Sequence, residues 1–262
     1  MKGTYIGNER MLISPIWGGK LVVPSNDLSL APDLILSGVL ETPLTKYFAQ
    51  NVKKGSIVVD IGANIGYFSV LLGYLVGSEG RVYSFEANRF IFDYLLDNLS
   101  INYLHDRIEA LNCAVYSNDE TISFYVSKKF MGNSSIHAHS EEYKRNYFEE
   151  TEEVQVSAVV LDQFFETQEK IDFLKIDIEG GEYQAFIGMG HLLKNKIITT
   201  VVFELNKGML QDDWAPFIDL LKEYEYLGRK YYVLSDEGEL VNVELNELKN
   251  LEGYPYVIMQ NA

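Results

Sequence analysis

The chain has 262 residues with 38 acidic against 22 basic side chains, a formal net charge of −16, and 47% apolar residues. That apolar share supports a sizeable core and excludes wholesale disorder, while no apolar stretch approaches the ~20 residues that span a bilayer. The acidity argues against nucleic acid as a partner, because phosphate-backbone binders need clustered Lys and Arg. Cys113 has no second cysteine to pair with. With no charged segment followed by an apolar one at the N-terminus, a reducing, cytoplasmic location is expected.

Residues 1–40 carry Pro15, Pro24, Pro32 and the pair Gly18-Gly19 between short apolar runs, which predicts an irregular cap or short hairpin. From Thr42 the apolar residues Leu44, Tyr47, Phe48 and Val52 recur at helical spacing, with Pro43 suited to a first turn and Gly55 just past the end. An alternation follows. Ser56–Ile61 predicts a strand, Tyr67–Val76 a helix, Arg81–Phe85 a strand, Asn88–Ile101 a helix and Ile108–Tyr116 a third strand. Strands separated by helices imply parallel pairing through right-handed crossovers and a sheet covered on both faces.

Two β-rich runs, Thr121–Val126 and Val154–Val160, then flank a long polar segment from Ser127 to Glu153. A loop of that length inside a compact domain is usually functional or disordered, so this one is a candidate substrate lid, with the run Glu149–Glu153 as a solvated face. Alternation resumes with strand Asp172–Ile176, a helix from Glu182, strand Ile197–Glu204 and helix Trp214–Tyr226. Tyr231–Leu234 and Tyr254–Met259, about the turn Ser235–Gly238, predict a closing antiparallel strand pair. The expected organisation is a cap over 1–40 and one α/β domain over 41–262, with an insertion at about 119–160.

The strongest motif is VVDIGANIGYFS, residues 58–69, between a predicted strand and a predicted helix. Glycines there let backbone approach a ligand, and the helix start offers free N–H groups. The spacing is Asp60-x-Gly62-x-Asn64-x-Gly66, which is neither the dinucleotide pattern G-x-G-x-x-G nor a Walker loop. Glu86 ends the next strand, where an acidic side chain accepts hydrogen bonds from both ribose hydroxyls of an adenosine. A second constellation is KIDIEGGE, residues 175–182. Lys175 and Asp177 share a strand face, and a lysine in a strand buried on both sides requires a carboxylate partner, Asp177 or Glu204.

With VYSFEAN (82–88), LNCAV (111–115) and FLKIDIEGGE (173–182) in the same order, the chain resembles the class I S-adenosylmethionine-dependent methyltransferases, and more closely the FkbM family. The similarity covers roughly residues 38–206. It implies a Rossmann-like, mostly parallel sheet, S-adenosyl-L-methionine as methyl donor with S-adenosyl-L-homocysteine as product, and O-methylation of sugars, glycans or secondary metabolites. Matched by position, Asp60, Gly62, Asn64 and Gly66 line the methionine end of the cofactor and Glu86 holds its ribose. Asn88 lies just beyond, and Asn112 and Cys113 flank the adenine.

Asp177 and Glu204 end adjacent predicted strands. Side by side, they can raise each other's pKa and serve as a general base, or join Asn206 as oxygen ligands of a hard divalent ion. His137, in a serine-rich segment with His139, is a further candidate base, its ordinary pKa suiting the task. Cys113 is better read as a small buried hydrophobe than as a nucleophile. The expected reaction is SN2 transfer to an acceptor hydroxyl, with catalytic candidates Asp177, Glu204, His137 and Lys175, and the acceptor a neutral small molecule or glycan. Two competitors are a nicotinamide-dependent oxidoreductase, favoured by Glu86 and opposed by the missing glycine pattern, and a non-catalytic binding module on the same fold.

Overall fold

The first forty residues hold more regular structure than their prolines suggest. Strands β1 (Gly3–Gly7), β2 (Arg10–Ile13) and β3 (Leu21–Pro24) form an antiparallel sheet, followed by helix α1 (Ala31–Leu36). Asn8 and Glu9 take left-handed conformations that close the first hairpin tightly. Pro24 ends a strand and Pro32 sits in the first helical turn, two positions where a missing N–H does no harm. The computed structural model describes residues 2–250 and 253–261; Met1 and Ala262, the outer limits of the expected cap and domain, lie outside them.

The α/β alternation then forms close to the predicted boundaries: α2 (Thr42–Asn51), β4 (Ile57–Ile61), α3 (Tyr67–Val76), β5 (Arg81–Phe85), α4 (Arg89–Ile101) and β6 (Ile108–Leu111). The third predicted strand does not run on to Tyr116. It breaks at Asn112 and Cys113, because the Asn112 amide turns to donate to the carbonyls of Glu86 and Ala87 at 2.8 and 3.2 Å. Its remainder, β7 (Ala114–Val115), joins a second small sheet with β8 (Thr121–Ser127) and β9 (Thr151–Val159). Between β8 and β9 the expected loop contains a 3₁₀ turn at Met131–Asn133 and helix α5 (Glu141–Tyr147).

The chain continues through α6 (Leu161–Phe164), β10 (Ile171–Ile176), α7 (Glu182–Gly188), α8 (Gly190–Lys194), β11 (Ile198–Glu204), α9 (Lys207–Leu210) and α10 (Trp214–Tyr226). It closes with β12 (Arg229–Leu234), β13 (Leu240–Asn242), α11 (Leu245–Leu248) and β14 (Tyr256–Asn261). The eight strands of the main sheet run β13-β12-β14-β11-β10-β4-β5-β6. The block from β11 to β6 is parallel, and β14 enters antiparallel between β11 and β12. The expected closing pair is thus three strands. The last one crosses to the middle of the tail, because Val257, Ile258 and Met259 are fully buried and an inner position covers both of their faces.

Two apolar layers sandwich the sheet. Leu44, Phe48, Phe68, Leu72 and Leu95 pack one face, and Phe186, Leu192, Phe203, Phe217 and Tyr231 the other. Buried polar groups fasten the cap and the insertion to this frame. Asn98, at 0% exposure, exchanges hydrogen bonds with Val22 and donates to the Ile65 carbonyl. Asp27 accepts from the N–H groups of Ser29, Leu30 and Met131, and the Ser29 hydroxyl accepts from Gly132. The insertion itself is latched by Glu149, which is buried and accepts from the N–H groups of Lys128, Lys129 and Phe130. Glu149 is therefore not part of a solvated acidic face, since three converging donors outweigh hydration of its carboxylate.

Candidate active site

The order of the sheet places a ligand crevice before any side chain is considered. From β4 the chain steps to β5 and β6 on one side, then crosses to β10 on the other, so the strand order reverses at β4. Open α/β sheets bind ligands beyond the carboxyl ends of their strands at such a reversal. Two adjoining cavities lie there, and both are lined by Gly62, Asn64, Gly132 and Asp177.

The smaller cavity lies over β5 and the break after β6. Ile61, Phe85, Ala87, Cys113, Val115 and Phe124 give it apolar walls, and Glu86 supplies an acid. One Glu86 oxygen accepts from the Asn64 N–H at 2.8 Å and the other from the Asn88 N–H at 2.7 Å. A carboxylate offers about four lone-pair positions, so each oxygen keeps one for a further donor. Burial pushes this carboxyl up to about 7 against the pull of those two N–H groups, a position in which donors from a ligand hydroxyl are favourable. An apolar slot for a flat base beside an acid with spare acceptor capacity fits the adenosine of S-adenosylmethionine.

Gly62, Asn64, Glu86 and Cys113 all line this cavity. Four other residues named from the sequence do not reach its wall. Asp60 is fully buried below it, accepting from the Ser69 hydroxyl at 2.6 Å and facing Lys175. Gly66, at φ 87°, passes so close to Leu95 that a Cβ would lie 2.5 Å from its side chain. Asn88 caps α4 by accepting from the Phe90 N–H, and Asn112 holds the end of β5 as described above. Asp60 and Gly66 line neither cavity, and Asn88 and Asn112 face a separate one that shares Ala87 with it. Gly62 also has a packing role: at φ 74°, a Cβ there would come within 1.8 Å of the Asp177 carbonyl oxygen, so the absence of a side chain is what brings the two motif loops together.

The larger cavity is acidic. Glu41, Asp177, Glu179 and Glu204 line it with Lys175, Tyr67, Phe68 and Tyr256, while Ser29 and Leu30 of the cap and Gly132 and Asn133 of the insertion close one side. Three of its wall residues, Glu41, Asn64 and Glu179, hold left-handed conformations at φ 42°, 50° and 53°. Such conformations cost side-chain-bearing residues energy and gather at functional sites. As the strand positions imply, Asp177 and Glu204 stand together, and oxygens of Asp177, Glu179 and Glu204 lie within 4.8 Å of one another. Asn206 does not contribute to that group. Its side-chain oxygen accepts from the N–H groups of Gly208 and Met209 and caps α9.

Lys175 is 2% exposed, with its ammonium 3.4 Å from Asp177 Oδ2, 3.6 Å from Asp60 Oδ1 and 5.2 Å from the centre of the Phe68 ring. Burial works against its charge, but Asp177, Asp60 and Glu41 more than offset that and raise its pKa. The pairing required of a strand lysine is met by Asp60 and Asp177 rather than Glu204. His137 lines neither cavity; its ring lies against Gly180, whose Cβ would fall 2.9 Å from it. His139 is buried, hydrogen-bonded to the Asn133 carbonyl and stacked on Tyr143. Burial alone pushes the Cys113 thiol up to about 11, which leaves it an inert wall group.

Burial, then the charge of Asp177, pushes Glu41 up to about 7, and burial with Asp177, Glu179 and Glu182 pushes Glu204 up to about 10. Burial also takes Glu182 to about 7, although its oxygens accept from the Ile178 and Gly180 N–H groups. Carboxyls raised from 4.5 bind protons more tightly in the folded protein. Their stabilisation is therefore complete below about 4.5 and lost as pH rises through 7 and on towards 10. The melting temperature of the ligand-free protein is expected to fall from pH 6 to pH 8.5. A flat or rising profile in thermal unfolding across that range would contradict the assignment.

Sequence reading missed Glu41, Glu179 and Tyr256. Glu179 was legible as the second acid of KIDIEGGE, whereas Tyr256 carries no motif and reaches the cavity only through the tertiary fold. A sequence profile described as the methyltransferase FkbM domain matches residues 60–231. The methyltransferase sdnD of Sordaria araneosa is 25% identical over 181 residues, which cover 59% of this chain and 70% of that protein. Among solved structures, the O-methyltransferase from Bacillus cereus in complex with S-adenosylhomocysteine superposes with a TM-score of 0.45 at 17% identity, over 90% of this chain and 82% of that one. TYW2 of M. jannaschii in complex with AdoMet does so at 0.45 and 14% identity, over 99% and 90%. With about two thirds of its length in the matched stretch, the two signature loops included, the chain belongs to the FkbM family and is an S-adenosylmethionine-dependent methyltransferase.

Proposed function

We propose that the chain is an O-methyltransferase acting on a hydroxyl of an uncharged sugar, glycan or secondary metabolite, with Asp177 as the general base. The observation that carries this reading is that Asp177 lines both cavities, so one carboxylate faces the donor and the acceptor at once. When bound, S-adenosylmethionine supplies a methyl group already activated by its positive sulfur, which leaves the protein to align the reactants, take up a proton and exclude water. Gly62, Asn64 and Glu86 hold the donor side. Asp177 Oδ2 is engaged by Lys175 and Tyr256, and Oδ1 has no hydrogen-bond donor among the described residues. Asp177 Oδ1 takes the proton of the acceptor hydroxyl, and Gly62, Asn64 and Glu86 would keep the bound donor aligned with that oxygen.

Glu204, with its pKa raised to about 10, holds its proton at neutral pH and acts as a donor to the acceptor rather than as the base. His137 lines neither cavity and is given no part in the step. A divalent ion among Asp177, Glu179 and Glu204 is the second reading, favoured by their close oxygens; the Lys175 ammonium already faces Asp177 and supports the metal-free base. An acidic cavity with aromatic side chains suits hydroxyl donors and the apolar faces of a sugar ring, and repels anions.

The test uses methyl-labelled S-adenosylmethionine with a small-molecule extract of the producing cell. Label in an alkali-stable, neutral product, undiminished by EDTA, is expected. An alkali-labile ester or a methylated amine would overturn O-methylation of a hydroxyl, and loss of transfer on chelation with recovery on adding Mg²⁺ would favour the ion. S-adenosylhomocysteine is expected to raise the melting temperature and NAD to leave it unchanged.

A further inference from the structure

Two residues outside the stretch matched by the family profile, Glu41 before it and Tyr256 after it, meet at the proposed base. Asp177 directly follows β10, whose Ile176 pairs with Phe203 of β11, and Glu204, the next residue of β11, pairs with Tyr256 of the antiparallel β14. Neighbours in such registers lie side by side on one face. Three adjacent strands thus present Asp177, Glu204 and Tyr256 as a row across the sheet edge. The Tyr256 hydroxyl passes over Glu204 and donates to Asp177 Oδ2 at 2.8 Å. Glu41, turned inward by its left-handed backbone, faces the same phenol, with Oε2 buried and without a hydrogen-bond partner.

We propose that Tyr256 is a positioning residue for methyl transfer: by donating to Oδ2 of Asp177 together with Lys175, it fixes the carboxylate so that Oδ1 is directed at the acceptor hydroxyl. The proposal rests on the reading of Asp177 as the base. A carboxylate held by one donor can rotate about its Cβ–Cγ bond, whereas two donors from different strands, Lys175 on β10 and Tyr256 on β14, define its plane. The phenol is suited to this task because it has one hydrogen to give and lies among acids that compete to receive it. The charged or titratable groups facing Asp177 are Lys175, Glu41, Glu179, Glu182, Glu204 and Tyr256 itself, with Asp60 behind the lysine. Lys175 is the only cation of that set, so an added neutral donor has a large effect on which way the carboxylate turns. β14 brings Tyr256 to the site only because it is inserted antiparallel between β11 and β12; the closing strand therefore has a role in the site as well as in the sheet.

The experiment measures methyl transfer by the full chain from methyl-labelled S-adenosylmethionine to the acceptor in the small-molecule extract, alongside calorimetric binding of S-adenosylhomocysteine. Tyr256→Phe is expected to lower kcat about tenfold with the KM for S-adenosylmethionine unchanged, because the released carboxylate turns away from the acceptor. S-adenosylhomocysteine affinity is expected to stay within about twofold, since the donor cavity is not lined by Tyr256. Transfer at the wild-type rate, or a loss matched by an equal loss of S-adenosylhomocysteine binding, would overturn the proposal. Should Tyr256→Phe not fold, a crystal structure of the wild type with S-adenosylhomocysteine decides: the Tyr256 hydroxyl is expected within hydrogen-bond distance of Asp177 Oδ2, and a hydroxyl turned to Glu41 or Glu204 instead would overturn it. Failure of the base assignment shows separately, as methyl transfer by Asp177→Asn at the wild-type rate, whatever Tyr256→Phe does.

Discussion

Asp177→Asn is expected to lower methyl transfer by about 10²–10⁴-fold while S-adenosylhomocysteine still binds. The amide keeps the size of the side chain and an oxygen for Lys175 and Tyr256, but it cannot take a proton from the acceptor. The donor cavity retains Glu86, Asn64 and its apolar walls, so ligand affinity separates lost chemistry from a lost site. The check is label transfer from methyl-labelled S-adenosylmethionine alongside calorimetric binding of S-adenosylhomocysteine. Full transfer by the variant would remove Asp177 as the base.

Lys175→Met is expected to destabilise the protein by about 3–5 kcal/mol, because removing one partner of a buried pair strands the other. Asp60 has 0% exposure. Its Oδ2 accepts from Ser69, but Oδ1 has the ammonium at 3.6 Å and no hydrogen bond. At this chain length the loss corresponds to a fall of roughly 10 °C in melting temperature. Urea denaturation measures it directly. Adding Asp60→Asn to Lys175→Met is expected to recover part of the loss, since the two side chains act as a pair. A Lys175→Met variant as stable as the wild type would show that the lysine is not holding a buried charge.

The parts of the fold legible in the sequence are those with local signals. The strand at Ile57–Ile61, the helix at Tyr67–Val76 and the acids that end β5 and β10 all follow from periodicity and from two motifs. The cap was less legible, since its three strands are too short to show alternation and are held by distant groups, with Asn98 reaching β3 across 76 residues. Glu149 read as one of several acids because nothing in its neighbourhood announces the loop whose N–H groups it accepts. His137 is plausible by residue type, and its serine-rich segment does reach the cavities, through Gly132, Asn133, Ser134 and Ile136, while the histidine itself lines neither and lies against Gly180. Asn206 was suited to an ion by its chemistry, and a local demand, the cap of α9, used its oxygen instead. Tyr256 needed the register of β14 against β11, which no stretch of sequence specifies alone.

All of the proposed chemistry depends on donor and acceptor cavities meeting at Asp177. A crystal structure of the complex with S-adenosylhomocysteine tests this most directly. Adenosine is expected in the apolar slot with its ribose on Glu86, and the homocysteine sulfur at the opening beside Asp177, facing Tyr256 and Glu204. Ligand bound with its sulfur turned away from Asp177, or seated outside the cavity lined by Glu86, would contradict it.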